Sequence, residues 1–218
     1  MNRADEELLA AAARMVVEEG LEYGAAKRRA VRDLTRRGGG GGRGDRSRDL
    51  PSNEAVEDAV REHLALFHAD TQPAELAALR RVARTWMQRL AEFRPHLAGA
   101  AWRGTATRLS AVHLDLYCDD GKAAEIALLN AGVRFDVEGG GTPEATVLTI
   151  AAPCRELGEP VTVHLHLQDH DALRGALKPD ARGRTWRGDV GALDRLLAAA
   201  DGAAAAADAA DAADEGPR

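Results

Sequence analysis

The sequence predicts an α+β fold, with helices in the N-terminal part followed by a mixed or antiparallel sheet of about five strands and flanking helices. Up to about residue 93, hydrophobic residues recur at spacings of three and four, which is the helical period. Between about residues 100 and 168 they mostly alternate with polar residues, which is the strand period. One helical segment, GKAAEIALLNAG, interrupts the predicted strands, so a repeated doubly wound arrangement is not expected.

Changes in composition divide the chain into four parts. Residues 1–37 are expected to form a helical hairpin that is broken near Gly20–Gly24. Residues 38–52 contain five consecutive glycines and are predicted to be a flexible linker. Residues 53–200 are expected to form the α+β domain. Residues 201–218 are rich in alanine and aspartate and are predicted to be a disordered tail.

The predicted strands give the sheet two chemically different faces, because successive side chains of a strand point to opposite sides. The five candidates are Ala100–Gly104, Ala111–Cys118, Val133–Glu138, Thr146–Ala152 and Pro160–Gln168.

On the second strand His113 and Asp115 share the polar side, and on the fifth strand His164 and His166 do so. If these strands are neighbours with matching faces, three histidines and one aspartate meet. His and Asp are ligand types for Zn, Mn or Fe, and carboxylates suit Mg. The alternative is an ordinary solvated face of an antiparallel sheet, which needs no ligand.

The stretch Arg103–Gly104–Thr105 followed by His-Leu-Asp-Leu resembles the nucleotidyltransferase superfamily. That family has a glycine and a small hydroxyl residue at the end of one strand, and an acid–apolar–acid motif on the next. The resemblance implies a nucleotidyltransferase-like fold over residues 53–200. It also implies a triphosphate held by backbone N–H groups near Gly104 and Thr105, with Arg103 and Arg108 beside them.

In the same family, paired acids hold Mg²⁺ or Mn²⁺ ions that activate the attacking oxygen and neutralise the leaving phosphate. Asp115 matches the second acid, and His113 stands at the first, so these two are the implied catalytic residues. The third acid position falls on His164 or His166, which completes the implied metal set. Three alternatives stay open: an active transferase, a transferase with a changed metal preference, and a pseudo-enzyme that keeps the nucleotide-binding surface and binds a nucleotide or an RNA end.

The whole chain is also similar to a set of uncharacterised proteobacterial proteins, through its EEGLEYGAAKRRA and LKPDARGRTWRGD segments. Some members of that set carry the name UDP-N-acetylmuramate–alanine ligase. Such a ligase needs an ATP-binding loop that ends in Gly-Lys-Ser or Gly-Lys-Thr. The glycine cluster GGGGGRGD has neither that ending nor a strand before it, so ligase activity is not expected.

Basic residues are concentrated in two segments of a chain whose net charge is −6. Residues 23–48 contain nine Lys or Arg and two Asp, and Lys27, Arg28 and Arg29 could grip RNA or a partner protein. A non-catalytic binding module of this kind is the alternative function. A second group lies around Trp186 and could grip phosphate or be a solvated loop: Arg174, Lys178, Arg182, Arg184 and Arg187.

The N-terminus MNRADEELL lacks the apolar region of a signal peptide, and no apolar run is long enough to span a bilayer. A cytoplasmic protein without a membrane partner is therefore expected. Its two cysteines, Cys118 and Cys154, are expected to be reduced. The sequence does not determine the oligomeric state.

Overall fold

The computed structural model describes residues 3–37, 50–139, 146–180 and 182–214, with side chains as far as residue 206. The α+β class is confirmed, since helices flank a mixed sheet. The chain divides into two compact units. Unit 1 comprises Met1–Gln72 and Thr105–Ser110, and unit 2 comprises Pro73–Gly104 and Ala111–Arg218. Within the described ranges, no helix is both long and apolar enough to cross a membrane.

Unit 1 is built on three helices, α1 (Arg3–Glu19), α2 (Tyr23–Arg37) and α3 (Asn53–Phe67). The predicted break between the first two is confirmed. At α3 the Ser52 side chain caps the helix by accepting a hydrogen bond from the Ala55 N–H at 3.1 Å. Apolar residues of all three helices form one core, including Leu8, Ala12, Met15, Val16, Ala26, Ala30, Val56, Val60 and Leu64.

The place of α3 differs from the division drawn from the sequence, which started the sheet domain at residue 53. With α2 alone, part of the apolar side of α1 would stay exposed to solvent. The helix α3 covers it and buries Val56 and Val60 in the same core. The structure therefore places this helix in unit 1. Of the predicted linker 38–52, residues 38–49 lie outside the described ranges.

Unit 2 contains a six-stranded sheet in the order β3-β4-β5-β2-β1-β6. The neighbours β2 and β5 are parallel and all other pairs are antiparallel, so the sheet is mixed. Its elements are α4 (Gln72–Arg89), β1 (His96–Ala98), α5 (Gly99–Arg103), β2 (Val112–Tyr117), α6 (Gly121–Asn130), β3 (Asp136–Glu138), β4 (Val147–Ala152), β5 (Val161–Gln168), β6 (Arg187–Gly188) and α7 (Val190–Asp214).

Two predictions about these elements were wrong. The strand predicted at Ala100–Gly104 is the helix α5, which ends at Gly104 with a left-handed backbone (φ 82°). A window of five residues is too short to separate the two periods, and a glycine in this conformation is a common helix end. Of the tail 201–218 predicted to be disordered, the residues up to Asp214 continue α7, since alanine has the highest helix propensity, and residues 215–218 lie outside the described ranges.

The two faces of the sheet differ in chemistry as the alternation predicts. One face is apolar and buried, with residues such as Leu97, Leu114, Leu116, Leu148, Val163, Leu165 and Leu167. The other, which we call the polar face, carries His96, His113, Asp115, Tyr117, Thr149, His164, His166 and Gln168, with Asp136 and Glu138 on the edge strand β3. The register pairs His113 with His164 and Asp115 with His166, so these four side chains start from adjacent positions.

Candidate functional site

Three histidines meet on the polar face, and we call His113, His164 and His166 the histidine cluster. The parallel pairing of β2 with β5 sets their Cα positions side by side. The ring centroid of His113 lies 5.1 Å from that of His164 and 5.3 Å from that of His166. The third distance, between the two rings of β5, is 6.4 Å. All three side chains are half-buried, so the cluster keeps access to solvent.

Hydrogen bonds fix how these rings are arranged. His113 Nδ1 lies 3.0 Å from His166 Nε2, so one nitrogen must carry a hydrogen and the other a lone pair. His164 Nδ1 lies 3.0 Å from the hydroxyl oxygen of Thr149, on the neighbouring strand β4. The cluster is thus a connected set of imidazoles that can offer N–H donors at the surface.

Asp115, the carboxylate that the register sets directly beside His166, is engaged by an arginine. It is 7% exposed, and Arg187 Nη1 lies 2.8 Å from its Oδ2. The same Arg187 nitrogen donates to the Tyr117 hydroxyl at 2.7 Å. Burial raises the pKa of the Asp115 carboxyl, and nearby Arg187, His96 and His113 oppose that rise only in part. The carboxylate is therefore held in a buried ion pair.

A fourth histidine, His96, completes this part of the polar face. It pairs with Asp115 in the β1–β2 register and is 6% exposed. Its Nδ1–H donates to the Arg94 carbonyl at 2.9 Å, and its ring meets Tyr117 edge-on at 5.3 Å between centroids. Sequence reasoning missed the roles of His96 and Arg187, because each lies in a strand of only two or three residues.

The residues predicted to cradle a triphosphate do not form a cradle in unit 2. Arg103 is buried, and its Nη1 lies 3.5 Å from a carboxylate oxygen of Asp180. The same nitrogen donates to the Thr185 carbonyl at 3.2 Å, and the guanidinium carbon lies 4.4 Å from the ring centroid of Trp186. Gly104 caps the C-terminal end of the helix α5, and the C-terminal end of a helix presents carbonyl oxygens instead of N–H donors. Arg103 thus ties α5 to the loop before β6.

The other two predicted cradle residues belong to unit 1. The Thr105 side chain is buried, and its hydroxyl lies 3.2 Å from that of Tyr23. Arg108 is exposed in the same short segment of unit 1. The structure therefore brings the predicted histidines together, and it assigns Arg103 and Thr105 to packing.

Asp180 organises the loop before β6, and we expect this role to make the loop sensitive to acid. Its carboxylate accepts from the N–H groups of Arg182 and Arg184, both at 2.9 Å, and lies near the Arg103 guanidinium. The pKa of the Asp180 carboxyl is lowered, and the hydrogen bond from the Arg184 backbone N–H is the largest cause.

A lowered pKa means that the stabilisation is present above the unfolded-state value and is lost as pH falls. We expect Asp180→Asn to lower the denaturation midpoint at pH 7, and the difference from wild type to shrink below about pH 4. Urea unfolding at several pH values measures this. A midpoint difference that stays constant with pH would contradict the assignment.

The donor set does not match the Mg²⁺ or Mn²⁺ site that the resemblance implies. These ions prefer several oxygen ligands, but Asp115 is already paired with Arg187, and Asp136 and Glu138 lie on the edge strand β3, beyond β4. In the parts of the chain that the structure describes, no group of three or more His, Cys, Asp or Glu side chains is arranged to hold a metal ion.

Part of the basic charge of α2 is used within unit 1. Lys27 Nζ donates to the Pro51 carbonyl at 2.9 Å, and Arg29 pairs with Glu19 at 2.6 Å. Arg28 is exposed. Two of the three residues proposed to grip RNA or a partner therefore already have contacts in their own unit.

No protein-family model matches the chain, and the comparison with curated proteins found no relative. The functional argument therefore depends on the geometry of the polar face.

Proposed function

We propose that the polar face of unit 2 binds the phosphate groups of a nucleotide or of an RNA end, with weak or no nucleotidyl transfer. The observation that supports this most is the histidine cluster, three half-exposed imidazoles within hydrogen-bond or ring contact of one another. It lies beside a carboxylate whose charge is already compensated by Arg187. The cluster therefore presents donors next to a carboxylate whose charge is already compensated.

The chemistry of imidazole favours phosphate as the ligand. A protonated imidazole is a donor at both nitrogens, and hydrogen bonds from a cation to a phosphate oxygen are about twice as strong as neutral ones. Two protonated rings as close as His113 and His166 would repel each other, and a bound anion relieves that repulsion.

The count of carboxylates supports binding more than transfer. The two-metal mechanism of phosphoryl transfer needs metal ions held on both the attacking and the leaving oxygen. Asp115 is the carboxylate in register with the cluster on the neighbouring strand, and it is paired with Arg187, while Asp136 and Glu138 lie on the edge strand beyond β4. In our proposal Mg²⁺ or Mn²⁺ is carried by the nucleotide's own phosphates and is not required for binding.

Isothermal titration with ATP, with and without Mg²⁺, tests the proposal. We expect the double variant His164→Gln/His166→Gln to weaken binding at least about tenfold, which corresponds to the loss of one charge-assisted hydrogen bond. His170→Gln is the matched control, since this histidine of the same unit lies in the turn after β5. Equal affinity of the wild type and the double variant would reject the histidine cluster as the site.

A second assay separates binding from catalysis. We expect no Mg²⁺- or Mn²⁺-dependent nucleotidyl transfer that depends on Asp115. Metal-dependent turnover that disappears in Asp115→Asn, while the fold is kept, would instead support the active transferase. Replacing Lys27, Arg28 and Arg29 by Ala tests the alternative, in which these basic residues form the binding module. We expect this triple variant to bind ATP as the wild type does.

A further inference from the structure

A concave site in unit 2 is chemically unlike the histidine cluster, and we call it the apolar groove. It has a volume of about 840 Å³. It lies between the end of α4, the start of β1, the loop after β5 and the start of α7. Its apolar lining consists of Met87, Ala91, Pro95, Leu173, Leu177 and Val190.

Two of these apolar side chains remain open to solvent. Leu177 is 44% exposed and Val190 is 36% exposed, although both line the same concavity. Covering them would remove apolar surface from water, which is favourable. A concavity of this size lies within the range of about 300–1,000 Å³ that small-molecule sites occupy.

Two cations lie at the groove without a partner. Neither the Arg94 guanidinium nor the Lys178 ammonium makes a hydrogen bond or an ion pair with another described residue, and both side chains are exposed. The acid among the described lining residues, Asp189, is already used, because its carboxylate accepts from the Ala192 N–H at 2.8 Å as the cap of α7. The groove is therefore apolar inside and positive at its edge.

The backbone that carries Arg94 is fixed in place. Arg94 has a left-handed conformation with φ 46°, which a non-glycine residue adopts only when its surroundings hold it there. Its N–H donates to the Ala91 carbonyl at 3.1 Å, and its carbonyl accepts from His96 at 2.9 Å. His96 is buried and also lines the groove. The cation therefore starts from a rigid point at the groove edge.

We propose that the apolar groove binds a small apolar carboxylic acid in its ionised form. The hydrocarbon part covers Leu177 and Val190, and the carboxylate lies between Arg94 and Lys178. Charge complementarity selects an anion, and the apolar lining selects a ligand that is mostly hydrocarbon. This inference rests on other residues than the histidine cluster, since none of the three cluster histidines lines the groove, and the two sites have His96 of the polar face as a common neighbour.

Isothermal titration of the full chain with decanoate, below its aggregation concentration, tests the proposal. We expect saturable binding of one decanoate per chain, with much weaker binding of decanol and of decyltrimethylammonium. Arg94→Glu/Lys178→Glu should weaken decanoate binding at least about tenfold. Arg134→Glu, an exposed arginine outside the groove, is the control and should bind as the wild type does.

Three outcomes would overturn the proposal. They are absence of saturable binding, equal affinity for decanoate and the alkyl cation, and unchanged affinity in the double charge variant. Light scattering in the same solutions tests whether a second copy of the chain occupies the groove instead. A dimer that forms in the wild type and is abolished by Leu177→Gln would make the groove a contact between two copies and would also overturn the proposal. His164→Gln/His166→Gln should leave decanoate binding intact, so failure of the two proposals can be told apart.

Discussion

Gly188→Ala is expected to lower the free energy of unfolding of unit 2 by about 3 kcal/mol, the cost of inserting an atom into a packed core. A Cβ at this position would overlap three atoms of the Trp102 ring, Cη2, Cζ3 and Cζ2. The ring cannot simply move away, because Trp102 Nε1 donates to the Thr185 carbonyl at 2.9 Å. Gly188 also pairs with Leu97 in the sheet, so β6 has no room to shift.

Urea denaturation of the variant measures this effect. Gly202→Ala is the control: no atom lies within 4 Å of an added Cβ in α7, and alanine should stabilise this helix by up to about 1 kcal/mol. A smaller side chain at position 102 should restore much of the loss, so we expect Trp102→Leu/Gly188→Ala to be more stable than Gly188→Ala alone. A Gly188→Ala protein with the wild-type midpoint would show that the indole does not occupy this position.

Arg187→Met is expected to cost about 3 kcal/mol at pH 7, the low end of the cost of removing one partner of a buried ion pair. The Arg187 side chain is 29% exposed, so part of its charge is already solvated. The variant leaves the buried carboxylate of Asp115 without its cation. Asp115→Asn/Arg187→Met removes both charges and should recover most of the lost stability.

The pH dependence of this variant has a definite sign. Burial already raises the pKa of Asp115 above its ordinary value, and loss of Arg187 removes the strongest opposing influence. A group with a raised folded-state pKa binds its proton more readily in the native state, so stability falls as pH rises from the unfolded value of about 4. The cost of Arg187→Met should therefore shrink at acidic pH. A cost that is equal at pH 4 and pH 7 would contradict a buried ionised pair.

The polar face illustrates how much the sequence predicts. Alternation in VHLDLY and VTVHLHLQ correctly separates the faces of β2 and β5, because both strands are long enough to show the period of two. Their parallel pairing then brings His113 beside His164. The partner of Asp115 could not be predicted, since Arg187 reaches it from β6, a strand of two residues more than seventy positions away.

The residues around Gly104 show why a short motif can mislead. Arg103–Gly104–Thr105 fits a strand end in sequence, but AAWR closes local hydrogen bonds as a helix, and the glycine ends it. Arg103 then contacts Asp180 and Trp186, which lie in a loop that carries no periodic signal. The apolar groove could not be predicted from the sequence either, because Leu177 and Val190 come together with α4 only through the tertiary fold.

The central claim, that the histidine cluster binds phosphate, is tested most directly by NMR of the histidine ring nitrogens during titration with ATP. The chain has seven histidines, and single His→Gln variants assign their signals. We expect the signals of His113, His164 and His166 to shift together and saturably, while those of His63 and His68 in unit 1 stay unchanged. Unchanged signals of these three rings at saturating ATP, or shifts confined to other histidines, would contradict the claim.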